Sequence, residues 1–302
     1  MLTLSEAVRP VTFIESVKLR EHLGLDVVVA TETFQHTGSF KFRAAYNLAS
    51  NVPNDEILSA SSGNFGQALA YACRLVGKRC TVVMPETSAK VKIDAVRDFG
   101  ATVDLIDTNV IGRNERVAQL AAEMPDAYFA SAYDNEYVIA GNATLGDELA
   151  TGDFDAVVTP VGGGGLISGL ATGLRRSGSN AEMYGAEPEL ANDASRSFKV
   201  GSIIPNEVEP MTIADGARTI SLGNLNWPII REHVSGFIEV PEADIRNAVK
   251  LFFSLVNLKS EPTGALSLAA VAADTDKWKG KRLCVVVSGG NVDPGIYKDL
   301  IG

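Results

Sequence analysis

The stretch Asp155-Ala156-Val157-Val158-Thr159-Pro160-Val161-Gly162-Gly163-Gly164-Gly165-Leu166 runs from a β-branched segment through four consecutive glycines into an apolar-periodic segment that continues to Arg176. The first seven residues read as a buried strand and Leu166–Arg176 as a helix. Four residues without side chains let the backbone close around a bulky dianion, and a helix N-terminus favours its negative charge. The loop lacks the Lys-Ser/Thr ending of a nucleotide-binding P-loop, and Gly163, Gly165 and Ser168 match the G-x-G-x-x-G dinucleotide template poorly. Its strongly patterned flanks argue against a flexible linker.

The same alternation extends in both directions. Asp26–Thr31, Ile57–Ala60, Cys80–Met84, Thr102–Ile106, Asp155–Val161, Glu182–Glu187, Phe237–Val240 and Leu283–Val287 read as strands. Gly66–Val76, Ala89–Phe99, Asn114–Glu123, Val138–Ala150 and Leu166–Arg176 read as helices between them. Strands alternating with helices predict an α/β fold, with parallel sheets covered on both faces. In such sheets ligands bind where strand ends lead into helix starts. No repeat, low-complexity tract or long linker interrupts the pattern, so any second domain is woven into the first.

Bulk properties narrow the function. The chain has 302 residues, 46% hydrophobic and 21% charged, an ordinary globular composition. A formal net charge of −10 argues against nucleic acid or an anionic membrane as partner. No apolar run approaches the ~20 residues of a membrane span, and Met1–Glu6 lacks a signal-peptide start. Cys73, Cys80 and Cys284 show no zinc or CxxC spacing and read as thiols of a reducing compartment. His22, His36 and His233 are too scattered for a metal cluster or triad. A cytoplasmic protein is expected.

Two further loops and one lysine carry chemistry. Ser61-Ser62-Gly63-Asn64-Phe65-Gly66-Gln67 places two hydroxyls, an amide and backbone N–H groups at a helix start, which suits a carboxylate; helix capping is the alternative. Ser288-Gly289-Gly290-Asn291 follows an apolar strand, and its hydroxyl can make one hydrogen bond to a flat ring or simply form a turn. Lys41 lies between Phe40 and Phe42, where burial disfavours the ammonium form and turns the side chain into an amine nucleophile. A lysine in the first turn of a helix capped by Thr37 or Ser39 is the plainer reading.

With these motifs in this order, the sequence resembles fold-type II pyridoxal-phosphate enzymes, most closely the serine/threonine dehydratase and serine racemase family. The resemblance spans Gln35–Asn47, Ser61–Tyr71, Met84–Gly100, Val138–Leu145, Val158–Gly169, Gly185–Ser195, Thr212–Thr219, Glu261–Val271 and Ser288–Asp293. It implies two interwoven open-sheet α/β domains of the tryptophan synthase β-like type. The large, cofactor-binding domain would comprise residues 1–54 and 134–302, and the small, substrate-binding one residues 55–133. Lys41 would form the Schiff base with pyridoxal phosphate, Gly162, Gly163, Gly164 and Gly165 would hold its phosphate, Asn64 would contact its ring hydroxyl, and Ser288 would face the ring nitrogen. Ser61, Ser62, Gly63 and Gln67 would line the pocket for the substrate carboxylate. The implied reaction is β-elimination from a 3-hydroxy amino acid such as threonine or serine, giving a 2-oxo acid and ammonia. Ser62 would stand on the face of Cα opposite Lys41, which adds racemisation as an alternative, as are dehydration of 3-hydroxyaspartate or phenylserine. A homodimer is also implied.

Glu187, the carbonyl of Ala191, and Asp193 are hard oxygen donors. Alone they read as loop acids, but their spacing resembles the family's divalent-cation site, so Mg²⁺, Ca²⁺ or Mn²⁺ would be held there. The sequence departs from the family pattern at Phe65, where histidine is common, at Ala44, where glycine is usual, and at Asn142-Ala143-Thr144. Phe65 points to a pocket for a larger or more apolar side chain than that of serine. The chain runs only eleven residues past Asn291, so no regulatory domain is expected. Competing readings are a β-replacement synthase, a non-catalytic amino-acid or phosphate-binding module, and a nicotinamide-dependent oxidoreductase resting on the glycine loop alone.

Overall fold

The computed structural model describes residues 2–302 other than 62 and 89. Among these residues ten strands form two sheets. β1 (Thr12–Ile14), β2 (Asp26–Thr31), β7 (Ala156–Pro160), β8 (Glu182–Pro188), β9 (Gly236–Val240) and β10 (Arg282–Val287) make a six-stranded sheet in the order β1-β2-β10-β7-β8-β9. β3 (Glu56–Ala60), β4 (Arg79–Pro85), β5 (Thr102–Ile106) and β6 (Tyr128–Phe129) make a four-stranded sheet in the order β5-β4-β3-β6. Every pairing is parallel except β1 with β2.

The sequence pattern follows from burial. A strand covered on both faces has no polar side, so it reads as an unbroken apolar run. β7 is buried at every residue, and β2 and β10 at every residue but the first. Successive side chains then supply two separate cores. Val27, Val29, Leu283, Val285 and Val287 pack on one face with Leu266 and Trp278. Val28, Ala30, Cys284 and Val286 pack on the other with Ile167, Leu170 and Leu174. A third core, around Phe42, Phe65, Leu69 and Met84, lies between the four-stranded sheet and its helices.

All eight strands expected from sequence are present, with ends shifted by at most one residue. The two not anticipated, β1 and β6, are three and two residues long, too short to show a period. The helix expected from Ala89 is described from Lys90 to Asp98, and Ala89 itself lies outside the described residues. All three cysteines are free and buried. No helix among the described residues is long and apolar enough to cross a membrane.

The glycine-rich loop is set in place by backbone contact. Helix Gly165–Arg176 packs against helix Glu136–Leu149 so closely that a Cβ on Gly173 would lie 2.1 Å from the carbonyl oxygen of Ala143, and one on Gly146 would lie 2.4 Å from that of Leu170. Asn142 donates from Nδ2 to the Gly165 carbonyl at 2.9 Å, tying the loop to the same helix.

Helix Lys41–Asn51 is anchored differently. Arg43, in its first turn, is fully buried. Its guanidinium donates to both oxygens of Glu32 at 2.8 and 2.9 Å, both oxygens of Glu148 at 2.6 and 3.0 Å, the Thr144 hydroxyl at 3.2 Å and the Arg9 carbonyl at 3.1 Å. Burial pushes the Glu32 carboxyl up, and the Arg43 guanidinium pulls it back. The planar fork thus joins the end of β2, the N-terminal segment and helix Glu136–Leu149 to the turn that bears Lys41. Substituting Arg43→Ala leaves the Glu32 carboxylate buried and uncompensated, and an expected loss of about 3–5 kcal/mol follows. Urea denaturation should show that loss with Arg43→Lys only partly restoring it; a loss below about 1 kcal/mol, the usual worth of an exposed pair, would contradict the assignment.

Candidate active site

Lys41 opens its helix after a tight turn. Neither Thr37 nor Ser39 caps that helix, contrary to the plainer sequence reading. Phe40 holds the cap position, and both hydroxyls are buried without a partner among the described residues. The apolar surroundings of Lys41 also differ from the sequence picture. Its Nζ lies 4.9 Å from the centre of the Phe40 ring and 5.7 Å from that of Phe65. Phe42 instead packs edge-on against His36 and at a tilt against Tyr46 and Tyr71. Nζ donates to the Ala132 carbonyl at 2.9 Å and to no carboxylate among the described residues. Burial therefore lowers its pKa to about 8, with the Glu261 carboxyl opposing the shift. The result is an amine of accessible basicity at a fixed position.

The Ser288–Asn291 loop is laid directly against this lysine. The Ser288 carbonyl accepts from the Phe40 N–H at 2.9 Å, Ser39 bridges Gly289, and the Gly290 N–H donates to the Gly38 carbonyl at 3.0 Å. Ser288 is buried at the end of β10. Asn291 donates from Nδ2 to the Thr37 carbonyl at 2.7 Å and to Oδ1 of Asn64 at 2.8 Å. Asn64 and Ser288 are thus brought to the same turn as Lys41.

The glycine loop reaches the site through residues 132 and 133. Ala132 receives the Lys41 amine, and the next residue, Tyr133, packs on the glycines. A Cβ on Gly163 would fall 2.3 Å from the Tyr133 ring, and one on Gly165 would fall 3.0 Å from the Tyr133 backbone. Gly164 has a φ of +91°, which only glycine adopts readily. The Gly163 carbonyl is tied outward by Asn226 at 2.8 Å and by the Gly223 N–H at 3.0 Å. The N–H groups of Gly162, Gly163, Gly164 and Gly165 donate to no described residue, so four donors gather where Gly165–Arg176 begins. That arrangement suits a phosphate. A primary amine with lowered pKa, a cradle closed to any side chain and a neutral hydroxyl at a strand end together suit pyridoxal phosphate.

The Ser61–Gln67 loop lies at the end of β3. Ser61 Oγ accepts from the Gly66 N–H at 3.1 Å and the Gly63 N–H at 3.4 Å, a capping role within the loop. Around Gly63 there is open space, and Gln67 is partly buried. Ser62 lies outside the described residues. Phe65 is 1% exposed and belongs to the third core as well as facing Lys41, which leaves little of its ring to shape a pocket.

Glu187 lies in β8, and Asp193 opens helix Asp193–Val200. Glu187 Oε1 accepts from the Ser195 N–H at 2.8 Å, and Asp193 Oδ1 from Asn206 Nδ2 at 2.9 Å. Asp193 Oδ2 is buried with no partner among the described residues. Burial, with Asp193 and Glu239 adding, pushes the Glu187 carboxyl up to about 9; burial likewise pushes Asp193 up to about 7. Ala191 is buried in a short turn between them. Among the described residues no cluster of three or more acidic, histidine or cysteine side chains is arranged around a metal. Two buried oxygen donors and an orphaned carboxylate oxygen nevertheless suit a hard cation completed by carbonyls and water.

Three residues of the site carry no signal of their own in the sequence. Tyr133 looks like any loop aromatic, and Asn291 reads only as part of a turn. Glu261 sits in Ser260-Glu261-Pro262, which reads as an ordinary helix start, although its carboxyl is buried beside Asn64. Two ion pairs also link the regions around the two sheets, Arg113 with Glu209 at 2.6 Å and Lys92 with Asp215 at 2.5 Å.

Comparison with known proteins shows the family of the chain. A model of the family described as pyridoxal-phosphate dependent enzyme matches residues 4–289. The chain is 38% identical over 284 residues to an L-threo-3-hydroxyaspartate ammonia-lyase from Pseudomonas sp, covering 92% of this chain and 88% of that one. It is 37% identical over 274 residues to a serine racemase from Schizosaccharomyces pombe, covering 89% and 84% of the two chains. The solved structure of a T.th. threonine deaminase superposes with a TM-score of 0.90 at 37% identity, covering 96% of this chain and 95% of that one. The chain belongs to the pyridoxal-phosphate dependent enzyme family.

Proposed function

We propose that the protein is a pyridoxal-phosphate-dependent ammonia-lyase that converts a 3-hydroxy amino acid to a 2-oxo acid and ammonia. The observation that carries this reading is the Lys41 amine, partly buried, without a carboxylate partner among the described residues and with its pKa lowered to about 8, in a chain whose relatives are named for eliminating or racemising hydroxy amino acids. Water is lost from the substrate and then regained in hydrolysis, so the net change is release of ammonia.

In this reading the N–H groups of Gly162, Gly163, Gly164 and Gly165 bind the cofactor phosphate, Asn64 contacts its ring hydroxyl, and Ser288 faces its ring nitrogen. Bound there, pyridoxal phosphate supplies an aldehyde that captures amines and a ring that withdraws electrons from the substrate Cα. Lys41 would hold the group through Nζ, and the same Nζ, placed at the substrate Cα, would take its proton. Ser288 offers a neutral hydroxyl where a carboxylate would hold a full charge, which favours prompt departure of the β-hydroxyl. Ser61, Ser62, Gly63 and Gln67 receive the substrate carboxylate, with the open space around Gly63 as entry. The Arg113–Glu209 and Lys92–Asp215 pairs would hold the elements around the two sheets together.

Racemisation is the second reading. It is favoured by the relatives named serine racemase and by the Ser62 hydroxyl as a second proton carrier. Glu187, the Ala191 carbonyl and Asp193 would hold a divalent cation in a structural role. The division into residues 1–54 with 134–302 and residues 55–133, and assembly as a homodimer, belong to the same proposal.

The direct test supplies each configuration of serine, threonine, 3-hydroxyaspartate and phenylserine, with and without Mg²⁺, and measures ammonia, 2-oxo acid and enantiomer ratio together. Release of 2-oxo acid and ammonia in equal amounts from at least one of them is expected; inversion without ammonia would leave racemisation as the function, and neither product would defeat both. A pH series tests the lysine. Covalent attachment of pyridoxal phosphate to the apo-protein needs the neutral amine, whose fraction grows as pH rises through the lysine's pKa. The attachment rate should therefore climb toward pH 8 and level above it. Glu261 titrates nearby, so the series should be repeated with Glu261→Gln; a rate still climbing steadily to pH 10 in both proteins would show an ordinary exposed lysine.

A further inference from the structure

Asn64, Glu261 and Asn291 form a chain of side chains that joins the helix following β3 to the six-stranded side of the molecule. Asn64 opens helix Asn64–Val76, Glu261 precedes helix Pro262–Ala273, and Asn291 follows β10. Asn64 Nδ2 donates to Glu261 Oε1 at 2.8 Å, and Asn64 Oδ1 accepts from Asn291 Nδ2 at 2.8 Å. The other N–H of Asn291 is spent on the Thr37 carbonyl at 2.7 Å. Both ends of the Asn64 amide are therefore specified, and one of its N–H groups has no partner among the described residues.

Glu261 is an unusual choice for its position. It stands at the N-cap of its helix, yet its side chain makes no capping hydrogen bond and turns toward Asn64 instead. It is 4% exposed and forms no ion pair among the described residues. Its carboxyl oxygen also bears on Gly289, where an added Cβ would fall 2.7 Å from Oε1. A serine or aspartate would cap the helix without burying so long an acid. The ionisable groups around it are Lys41 from its own helix, Asp215 from the large-sheet side and Lys92 from helix Lys90–Asp98.

We infer that Glu261 is a positioning residue that, with Asn291, holds the Asn64 amide in one orientation so that its remaining N–H faces the ring hydroxyl of the bound cofactor. This rests on the reading of Asn64 as the contact to that hydroxyl. Burial, with Asp215 adding, pushes the Glu261 carboxyl up to about 8, and Asn64 and Lys92 pull it back. Either protonation state leaves an oxygen that accepts from Asn64, so Glu261→Gln keeps the acceptor and Glu261→Ala removes it.

The test compares Asn64→Ala, Glu261→Ala, Glu261→Gln and both Glu261 substitutions combined with Asn64→Ala. Affinity of the apo-protein for pyridoxal phosphate and the absorption band of the loaded protein are the readouts. Asn64→Ala and Glu261→Ala should each weaken binding by about tenfold, the worth of one hydrogen bond, and displace the band alike. Their combination should be no weaker than Asn64→Ala alone, because the two residues act as one unit. Glu261→Gln should remain within about threefold of the parent. Losses that multiply in the double variant, or a Glu261→Gln protein as impaired as Glu261→Ala, would overturn the inference. Should Glu261→Ala not fold, a Glu261→Gln loss that adds to that of Asn64→Ala decides the same point against it. An Asn64→Ala protein with unchanged affinity and band would instead remove the reading of Asn64, whereas a weakened Asn64→Ala beside an unaffected Glu261→Ala removes only the clamp.

Discussion

The buried guanidinium of Arg43 is the constraint on which the placement of the site depends. Two residues after Lys41, it draws Glu32, Glu148, Thr144 and the Arg9 carbonyl onto one planar fork. A lysine amine is a flexible group on a four-carbon stem, and its usefulness depends on a fixed Cα. Arg43 fixes the first turn of the helix against the end of β2 and against helix Glu136–Leu149. That second helix is the one whose glycine contacts seat helix Gly165–Arg176 and its N-terminal loop. Lys41 and the glycine loop are thus referred to the same rigid element.

Around that frame the protein accepts several locally unfavourable arrangements. Burial lowers the pKa of the Lys41 amine to about 8 and raises that of the Glu261 carboxyl to about 8. Thr37 and Ser39 keep buried hydroxyls without partners among the described residues. Gly164 adopts a backbone conformation that other residues resist, and Tyr133 occupies the space where side chains on Gly163 and Gly165 would lie. These arrangements gather around Lys41 and the glycine loop, which Ala132 and Tyr133 join. Such a concentration is what is expected where binding and proton transfer set the requirements.

Much of this is legible in the sequence. Central strands of the six-stranded sheet stand out because burial on both faces leaves continuous apolar runs such as Val27–Ala30 and Cys284–Val287. The glycine loop is legible because a run without side chains, set between a buried strand and a helix start, is of use chiefly for close approach to the backbone. What cannot be read depends on contacts distant along the chain. Nothing local distinguishes Glu261, 197 residues from Asn64, from a helix-starting acid. The lysine's neighbours are half hidden for the same reason: Phe42 follows it in sequence, but Phe65 comes from another helix and meets it only in the folded protein. Asn142 departs from the family pattern in sequence, and its contact with the Gly165 carbonyl shows a side chain that still serves the loop.

The central claim is that Lys41, and no other lysine, joins covalently to pyridoxal phosphate. Borohydride reduction of the loaded protein followed by peptide mass analysis tests it in one step, because reduction fixes the lysine–cofactor bond permanently. A phosphopyridoxyl group confined to the peptide spanning Lys41, and absent from reduced Lys41→Ala protein, is the expected result. The same group on a different lysine, or no labelled peptide at all, would contradict the account.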